Sequence, residues 1–266
     1  MNTVIDVLLN RKSVRAYEDR SISPEAKETI LRAALRAPTA GNMTLYTIID
    51  VTDQQLKETL AQTCDDQPFI ATAPLVLLFL ADYQRWYDYF KLSEVDRVCQ
   101  QRGVEMRRPA EGDLLLASCD ALIAAQTAVI AAESLGIGSC YIGDILERFE
   151  THRELFDLPE YAVPICMVCF GYPTEQQKAR KQPPRFERRF VVSENCYPRL
   201  SADDYAAMVQ DRQAMLFANR SKLPADIENF GQLMYFRKFG AEYNVELNRS
   251  SHVMLQAWLA GAARDE

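Results

Sequence analysis

The chain has 266 residues and a mass of 30.3 kDa, with a formal net charge of −7 and a sequence pI of 5.1. This acidic balance argues against nucleic acid and anionic membranes as partners, because both attract basic proteins. The segment MNTVIDVLLNRKS lacks the basic start of a secretory signal peptide. No apolar run reaches the roughly 18 residues of a membrane-spanning helix. We therefore expect a cytoplasmic protein.

The seven cysteines follow no regular spacing. Cys166 and Cys169 form a C-x-x-C, but they lie in an apolar run that is typical of a buried strand. Residues i and i+3 of a strand point to opposite faces, which disfavours a zinc or redox pair. The pattern predicts free thiols in a reducing compartment and no metal site.

The N-terminal third alternates helical and strand patterns. Ser23 and Pro24 form a typical helix start, Pro38 ends that helix, and Asp53 caps the next one. Runs rich in β-branched or continuous apolar residues indicate strands. In chain order, the predicted elements are a helix at 3–9, a helix at 24–37, a turn-rich loop at 37–42, a strand at 44–51, a helix to 63 and a strand at 73–82.

The alanine-rich segment 114–136 predicts a long buried helix that ends at Gly136. The segment before it, 83–107, is aromatic and charged and is predicted to be partly helical. The remaining predicted elements are a loop at 107–113, a strand or turn at 139–144, a helix at 145–156, a strand at 162–173, a polar surface excursion at 174–199 and helices from 201 to 260. This order predicts one α/β (α+β) domain with a helical C-terminal extension.

Residues typical of acid–base catalysis are scarce. His152 and His252 are the two histidines, and neither lies near a nucleophile or a second ligand in the sequence. Surface or packing roles are therefore favoured for both. The segment GIGSCYIG (136–143) begins like a dinucleotide-binding turn, but it lacks the later glycine and follows a helix.

Two compact basic clusters stand out in this acidic chain. The first is RKSVR at 11–15, and the second is KARKQPPRFERR at 178–189. They are either solvated loops or an anion site, because arginine and lysine together suit a phosphate group. The composition by itself slightly favours solvated loops.

Three blocks, in their order and approximate spacing, resemble the nitroreductase family of FMN-dependent oxidoreductases. Residues 11–51 show R-x-S-x-R, a helix starting at S-P and then A-P-T-A-G-N. Residues 136–145 (GIGSCYIGDI) resemble the family's flavin-contacting turn, and 170–184 (FGYPTEQQKARKQPP) its G-x-P and K-x-R segment. The resemblance implies a three-layer sandwich with a mixed sheet flanked by helices, an FMN-binding domain at 1–200 and an extension at 201–266 that packs on that domain or on a homodimer partner.

The resemblance also implies which residues bind the cofactor. The two basic clusters converge on the FMN phosphate and the flavin's polar edge, and Arg15 or Lys12 lies near flavin N1. The residues implied here are Arg11, Lys12, Ser13, Arg15, Lys178 and Arg180. A cation near N1 stabilises the reduced, anionic flavin.

Further contacts are implied outside the clusters. The loop with Thr39 and Asn42 approaches the ring, often from the partner subunit, and Gln67 contacts the ribityl chain or ring edge. The backbone of 142–144 passes over the flavin and donates to N5, where Gly143 permits close approach. The residues of this turn are Ile142, Gly143 and Asp144.

Two departures from the family pattern affect the substrate pocket. The A-P-T-A-G-N loop continues M-T-L-Y, where many relatives have Q-P-W. The aromatic residues of 83–112 are as consistent with stacking on planar substrates as with packing between helices. The C-terminal aromatic segment 229–261 is interpreted as core or dimer interface.

The resemblance implies an NAD(P)H-dependent flavoprotein with FMN as cofactor and NADPH or NADH as electron donor. Hydride would reach flavin N5, and a nitroaromatic, quinone or flavin would then be reduced by a ping-pong mechanism without catalytic side chains. The alternatives are a family member with a different donor or acceptor, a non-catalytic flavin-binding module, and a binding protein for another phosphorylated ligand.

Overall fold

The computed structural model describes residues 3–218 and 223–260. Its helices agree closely with the sequence pattern. Within the described residues the α-helices are α1 (Thr3–Asn10), α2 (Pro24–Ala34), α3 (Gln54–Thr63), α4 (Gln84–Leu92), α5 (Val95–Gln101), α6 (Glu111–Ser134), α7 (Phe149–Leu155), α8 (Glu175–Ala179), α9 (Ala202–Ala218), α10 (Phe230–Met234) and α11 (Glu242–Ala260).

Four strands in the described part of the chain form one sheet in the order β1-β2-β4-β3. Each neighbouring pair is antiparallel, so the parallel component of the expected mixed sheet is limited to an isolated bridge between Ser13 and Ser139. The strands are β1 (Tyr46–Asp50), β2 (Leu75–Asp82), β3 (Gly138–Ile142) and β4 (Ala162–Gly171). The expected α+β fold is confirmed.

Alternation along the strands builds a core on both faces of the sheet. Leu77 of β2 packs in the layer that contains α2 and α6, whereas Leu78 faces the layer that contains α3. Cys166 and Cys169 of β4 lie in these two opposite layers. The expected orientation of the two thiols toward opposite faces of the strand is confirmed, and all seven cysteines are free.

Local signals account for the starts of α2 and α3. The Ser23 hydroxyl accepts from the Ala26 N–H at 3.2 Å, and the Asp53 carboxylate accepts from the Leu56 N–H at 2.7 Å. Helix α2 ends at Ala34 rather than at 37, three residues before the predicted end. Pro38 disfavours a helical backbone at the residue before it, Ala37. The helix ends earlier still, at Ala34.

The chain divides into two compact units, Met1–Arg180 with Glu246–Glu266 and Lys181–Val245. The division expected at residue 200 stays a prediction; from Glu246 onward, α11 belongs to the first unit. Its Trp258 is fully buried, donates from Nε1 to the Ala110 carbonyl at 3.2 Å and packs edge-on against Tyr161. In the second unit the Arg212 guanidinium lies 4.0 Å from the ring centroid of Phe186.

Among the described residues, α6 alone is long and apolar enough to cross a membrane by length and composition. One side of α6 is buried in the first unit, where its alanines and Asp120 are almost inaccessible to solvent. The composition of α6 is therefore that of a core helix.

Candidate functional site

The first basic segment runs along the outer edge of strand β3. The Val14 N–H donates to the Ser139 carbonyl at 2.9 Å, next to the bridge between Ser13 and Ser139. This close approach requires glycine at 138, because a Cβ there would lie 2.6 Å from Cγ2 of Val14. The edge strand thereby fixes the path of residues 11–15.

The second basic segment is tied to the first by backbone and side-chain bonds. The Glu18 N–H donates to the Tyr172 carbonyl at 2.8 Å. The Lys12 ammonium donates to the carbonyl oxygens of Lys178 and Arg180, each at 2.5 Å. Lys12 therefore joins two segments that are more than 160 residues apart in sequence.

Several of the cations converge on the middle of β3. Burial raises the pKa of the Cys140 thiol. The groups that oppose this shift are Arg15, Ser13, Arg11 and Arg180. Burial also raises the pKa of the Glu133 carboxyl, and the charge of Arg11 opposes that shift most strongly. A concentration of positive charge thus lies over β3 and the end of α6.

Lys178 is placed near the cluster, but its ammonium group binds two carboxylates. Its Nζ lies 2.9 Å from the Glu18 carboxylate and 2.7 Å from that of Glu175. Both bonds are exposed, which makes them weak and exchangeable. In this structure the ammonium of Lys178 is neutralised by these partners, while its carbonyl is held by Lys12.

A second part of the site lies at the other end of β3. Ile142 is buried, and a short turn of 3₁₀ helix follows at Asp144–Leu146. Gln67 donates to the Asp144 carboxylate at 2.7 Å and to the Cys64 carbonyl at 2.9 Å. At Gly143, no described atom lies within 4 Å of where a Cβ would be. The structure therefore brings Gln67 to the 142–144 turn and leaves the space at Gly143 open.

The loop with Thr39 and Asn42 lies elsewhere on the same chain. Its backbone is bound by Asp120 of α6, whereas Arg11 acts on Glu133 near the other end of that helix. These two carboxylates are thirteen residues apart, which is about 20 Å of helix at 1.5 Å per residue. A single chain therefore does not bring Thr39 and Asn42 to the basic cluster.

Both histidines are placed as the sequence suggested. His152 is fully buried, with Nδ1 3.0 Å from the Ile145 carbonyl and Nε2 2.9 Å from the Thr63 hydroxyl. Burial lowers the pKa of His152, so the neutral ring donates to the carbonyl and accepts from the hydroxyl. His252 is exposed.

The aromatic residues of 83–112 divide between packing and exposure. Tyr87 is buried and contacts Tyr161, with ring centroids 5.1 Å apart. Trp86 donates from Nε1 to the Met43 carbonyl at 2.6 Å, while Tyr89 is mostly exposed.

Three buried or half-buried carboxyl groups near the site were not predicted from the sequence: Asp120, Glu133 and Glu147. Asp120 and Glu133 are acidic residues within the alanine-rich segment that forms α6, and this contrast was a usable signal. Glu147 sits in a charged segment and carried no comparable signal.

Comparison with known proteins shows which family the chain belongs to. The model of the "Nitroreductase family" matches residues 8–172. The chain is 30% identical to the NADPH-flavin oxidoreductase of Vibrio harveyi, over 83% of this chain and 85% of that protein. It is 31% identical to an FMN reductase [NAD(P)H] of Bacillus subtilis, over 87% and 89% of the two chains.

Solved structures show the same fold. Nitroreductase A from Vibrio parahaemolyticus superposes with a TM-score of 0.77 at 27% identity, covering 96% of this chain and 98% of that one. The NADPH:FMN oxidoreductase of Vibrio harveyi in complex with NAD⁺ gives 0.76 at 26% identity, with the same coverage. The chain belongs to the nitroreductase family, a family of oxidoreductase enzymes, and the resemblance noted in the sequence is confirmed.

Proposed function

We propose that this protein is an FMN-dependent oxidoreductase that oxidises NADPH or NADH and reduces nitroaromatics, quinones or flavins by a ping-pong mechanism. The observation that carries the proposal is the convergence of two distant basic segments on edge strand β3, whose other end is the open turn at Gly143. The names of the relatives support FMN and a nicotinamide donor.

The residues present suit an FMN molecule laid along β3. Ser139 lies beside the basic segment and Gly143 is four residues further, a distance of about 13 Å at 3.3 Å per strand residue. A phosphate and a ring system joined by a five-carbon chain can bridge this distance. The missing side chain at Gly143 leaves room for a flat ring against the backbone.

When bound, FMN would supply the redox chemistry, by accepting hydride at N5 and passing electrons to the oxidant. The chain's own residues bind and orient. Arg11, Ser13 and Arg180 would hold the phosphate, while Arg15 or Lys12 would place positive charge near flavin N1. The backbone N–H groups of 142–144 would face N5. No side-chain acid is required, which agrees with the buried, hydrogen-bonded state of His152.

A homodimer would complete the site, since Thr39 and Asn42 are too far from the basic cluster within one chain. The outer side of α6 exposes an apolar stripe at seven-residue spacing, and α1, which packs on α6, exposes apolar side chains of its own. The exposed residues are Val4 and Leu9 on α1 and Leu115, Leu116, Leu122 and Ile123 on α6. Contiguous apolar patches of this kind mark protein interfaces. We propose that a second copy of this chain covers the stripe.

A cytoplasmic location is part of the proposal. All seven cysteines are free, and thiols persist in reducing compartments.

The decisive test is a visible spectrum of the purified protein after incubation with FMN and desalting, recorded before and after anaerobic addition of NADPH or NADH. Retained flavin bands that are bleached by either nucleotide and restored by a quinone or nitroaromatic are the expected result. Parallel initial-rate lines with two varied substrates would support the ping-pong mechanism.

Other outcomes would refute parts of the proposal. Retained flavin that neither nucleotide reduces would point to another electron donor or to a non-catalytic flavin-binding protein. A folded protein that retains no flavin would refute the assignment of both basic segments to FMN and would favour another phosphorylated ligand.

A further inference from the structure

The loop between Thr39 and Leu45 has an unusual backbone. Gly41, Asn42 and Thr44 all have positive φ, at 56°, 56° and 55°. Glycine and asparagine adopt this left-handed conformation readily, but a β-branched residue such as Thr44 rarely does. Such a conformation persists only where the surrounding structure imposes it, and strained backbone concentrates at functional sites.

A carboxylate from a different helix imposes this conformation. Asp120 of α6 is only 3% exposed. Its Oδ1 accepts from the Ala40 N–H at 3.0 Å, and its Oδ2 accepts from the N–H groups of Ala40 and Leu45, each at 3.2 Å. One side chain therefore binds both ends of the strained segment.

Asp120 takes the place of an N-cap side chain, because no side chain of the loop caps its short 3₁₀ helix. Ala40 begins a short 3₁₀ helix, Ala40–Asn42, and Thr39 is its N-cap residue. The Thr39 side chain makes no capping bond there; its hydroxyl oxygen accepts from the Thr44 N–H at 3.2 Å instead. The first N–H group of this turn has no acceptor within the 3₁₀ helix. Asp120 accepts its hydrogen bond, as an N-cap aspartate would.

Helix α4 holds the carbonyl groups on the other side of the loop. Trp86 donates to the Met43 carbonyl at 2.6 Å, and Arg85 donates to the Thr44 carbonyl at 3.3 Å. The loop is thus fixed from two helices while its tip at Gly41 and Asn42 stays exposed. A rigid, exposed and strained tip is suited to meeting a ligand rather than to filling the core.

We propose that Asp120 is a positioning residue of the flavin site, which fixes the loop that presents Thr39 and Asn42 to the cofactor. The inference rests on the proposed function, because the resemblance assigns this loop to the flavin. An isosteric asparagine would retain one acceptor oxygen but turn an NH₂ group toward a backbone donor. Asp120→Asn therefore breaks at least one of the bonds without leaving a cavity.

The test compares Asp120→Asn with Val129→Ala, a control that makes a cavity on the same helix in the sheet-facing core. Hydrogen exchange at the Ala40 or the Leu45 amide, whichever faces the new NH₂ group, should accelerate at least about tenfold in Asp120→Asn, measured without added FMN. The Kd for FMN, measured by flavin fluorescence, should rise by about the same factor. Val129→Ala should lower thermal stability without either local effect.

A rescue variant separates positioning from general loss of stability. Asparagine tolerates the left-handed conformation better than threonine, so Thr44→Asn lowers the strain that Asp120 offsets. Asp120→Asn combined with Thr44→Asn should recover part of the lost FMN affinity, whereas Val129→Ala with Thr44→Asn should not change it.

Unchanged exchange at Ala40 and Leu45 in Asp120→Asn would overturn the inference. So would faster exchange with wild-type FMN affinity, since the loop would then lie outside the flavin site. Failure of the wild-type protein to bind FMN would instead refute the proposed function, and the exchange comparison would still decide whether Asp120 fixes the loop.

Discussion

Glu147 is a buried carboxyl group in the turn that follows strand β3, and its replacement by glutamine provides a quantitative test. The side chain is 4% exposed, and its Oε1 has no hydrogen-bond partner among the described residues. Burial raises the pKa of Glu147 from 4.5 to about 7, and the carboxylates of Asp144, Asp65 and Glu246 add to the shift. Arg148 opposes it.

The sign of the pH effect follows from proton binding. Between pH 4.5 and about 7 the folded protein keeps a proton on Glu147 that the unfolded chain has released. The free energy of unfolding therefore falls as pH rises through this window and stays low above it. A shift of this size corresponds to on the order of 3 kcal/mol.

Glutamine resembles the protonated acid in shape and has no charge to lose. The stability of Glu147→Gln relative to wild type should therefore increase by about 2 to 3 kcal/mol between about pH 5 and about pH 8.5. Urea unfolding at both pH values measures this gap. Glu28→Gln, at an exposed position on α2, serves as the control and should show little change.

If the free energies of unfolding of Glu147→Gln and wild type differ by the same amount at both pH values, the reasoning is refuted. That result would mean that the carboxyl group titrates alike in the folded and unfolded states. A gap that narrows with rising pH would show that Glu147 is stabilised as a carboxylate, against the acidic groups around it.

Three further predictions concern the candidate site and the dimer. Lys12→Met removes the bonds that hold the second basic segment, so the Kd for FMN in fluorescence titration should rise by about tenfold or more; wild-type affinity would contradict the assigned role. Gly138→Ala places a Cβ 2.6 Å from Val14, and should destabilise the fold by about 1 to 3 kcal/mol in denaturant unfolding. Gly112→Ala, with open space around it, is its control, and an equal effect in both variants would exclude the steric cause. Leu122→Glu introduces a charge in the proposed interface and should give a monomer in light scattering after gel filtration, unless the dimer forms elsewhere.

Much of the fold was predictable because its signals are local. Ser23 and Asp53 cap helices at the predicted positions, and the apolar run at 73–82 became the central strand β2. The opposite orientation of Cys166 and Cys169 followed from strand periodicity alone. The helix caps, the strand and the orientation of the two thiols each depend on residues close by in the chain. They can therefore be predicted from the sequence.

For the candidate site, the sequence supplied a list of candidate residues but not the contacts between them. The sequence alone identified two basic clusters, and the order of three motifs indicated their common purpose. It could not show that the Lys178 ammonium binds Glu18 and Glu175, or that Lys12 binds the backbone of the second segment. These partners lie far apart in the chain, and only their tertiary placement determines which charges meet.

The carboxyl groups show the same difference between what local sequence predicts and what tertiary placement decides. Composition and periodicity indicated the elements and the acidic net charge of this protein, and the resemblance of three sequence blocks indicated its family. Only the tertiary structure decided that Asp120 binds a strained loop and that burial raises the pKa of Glu147 to about 7. Both properties arise from burial and from groups on other elements, because the free energy of a charge depends on everything within a few ångströms of it.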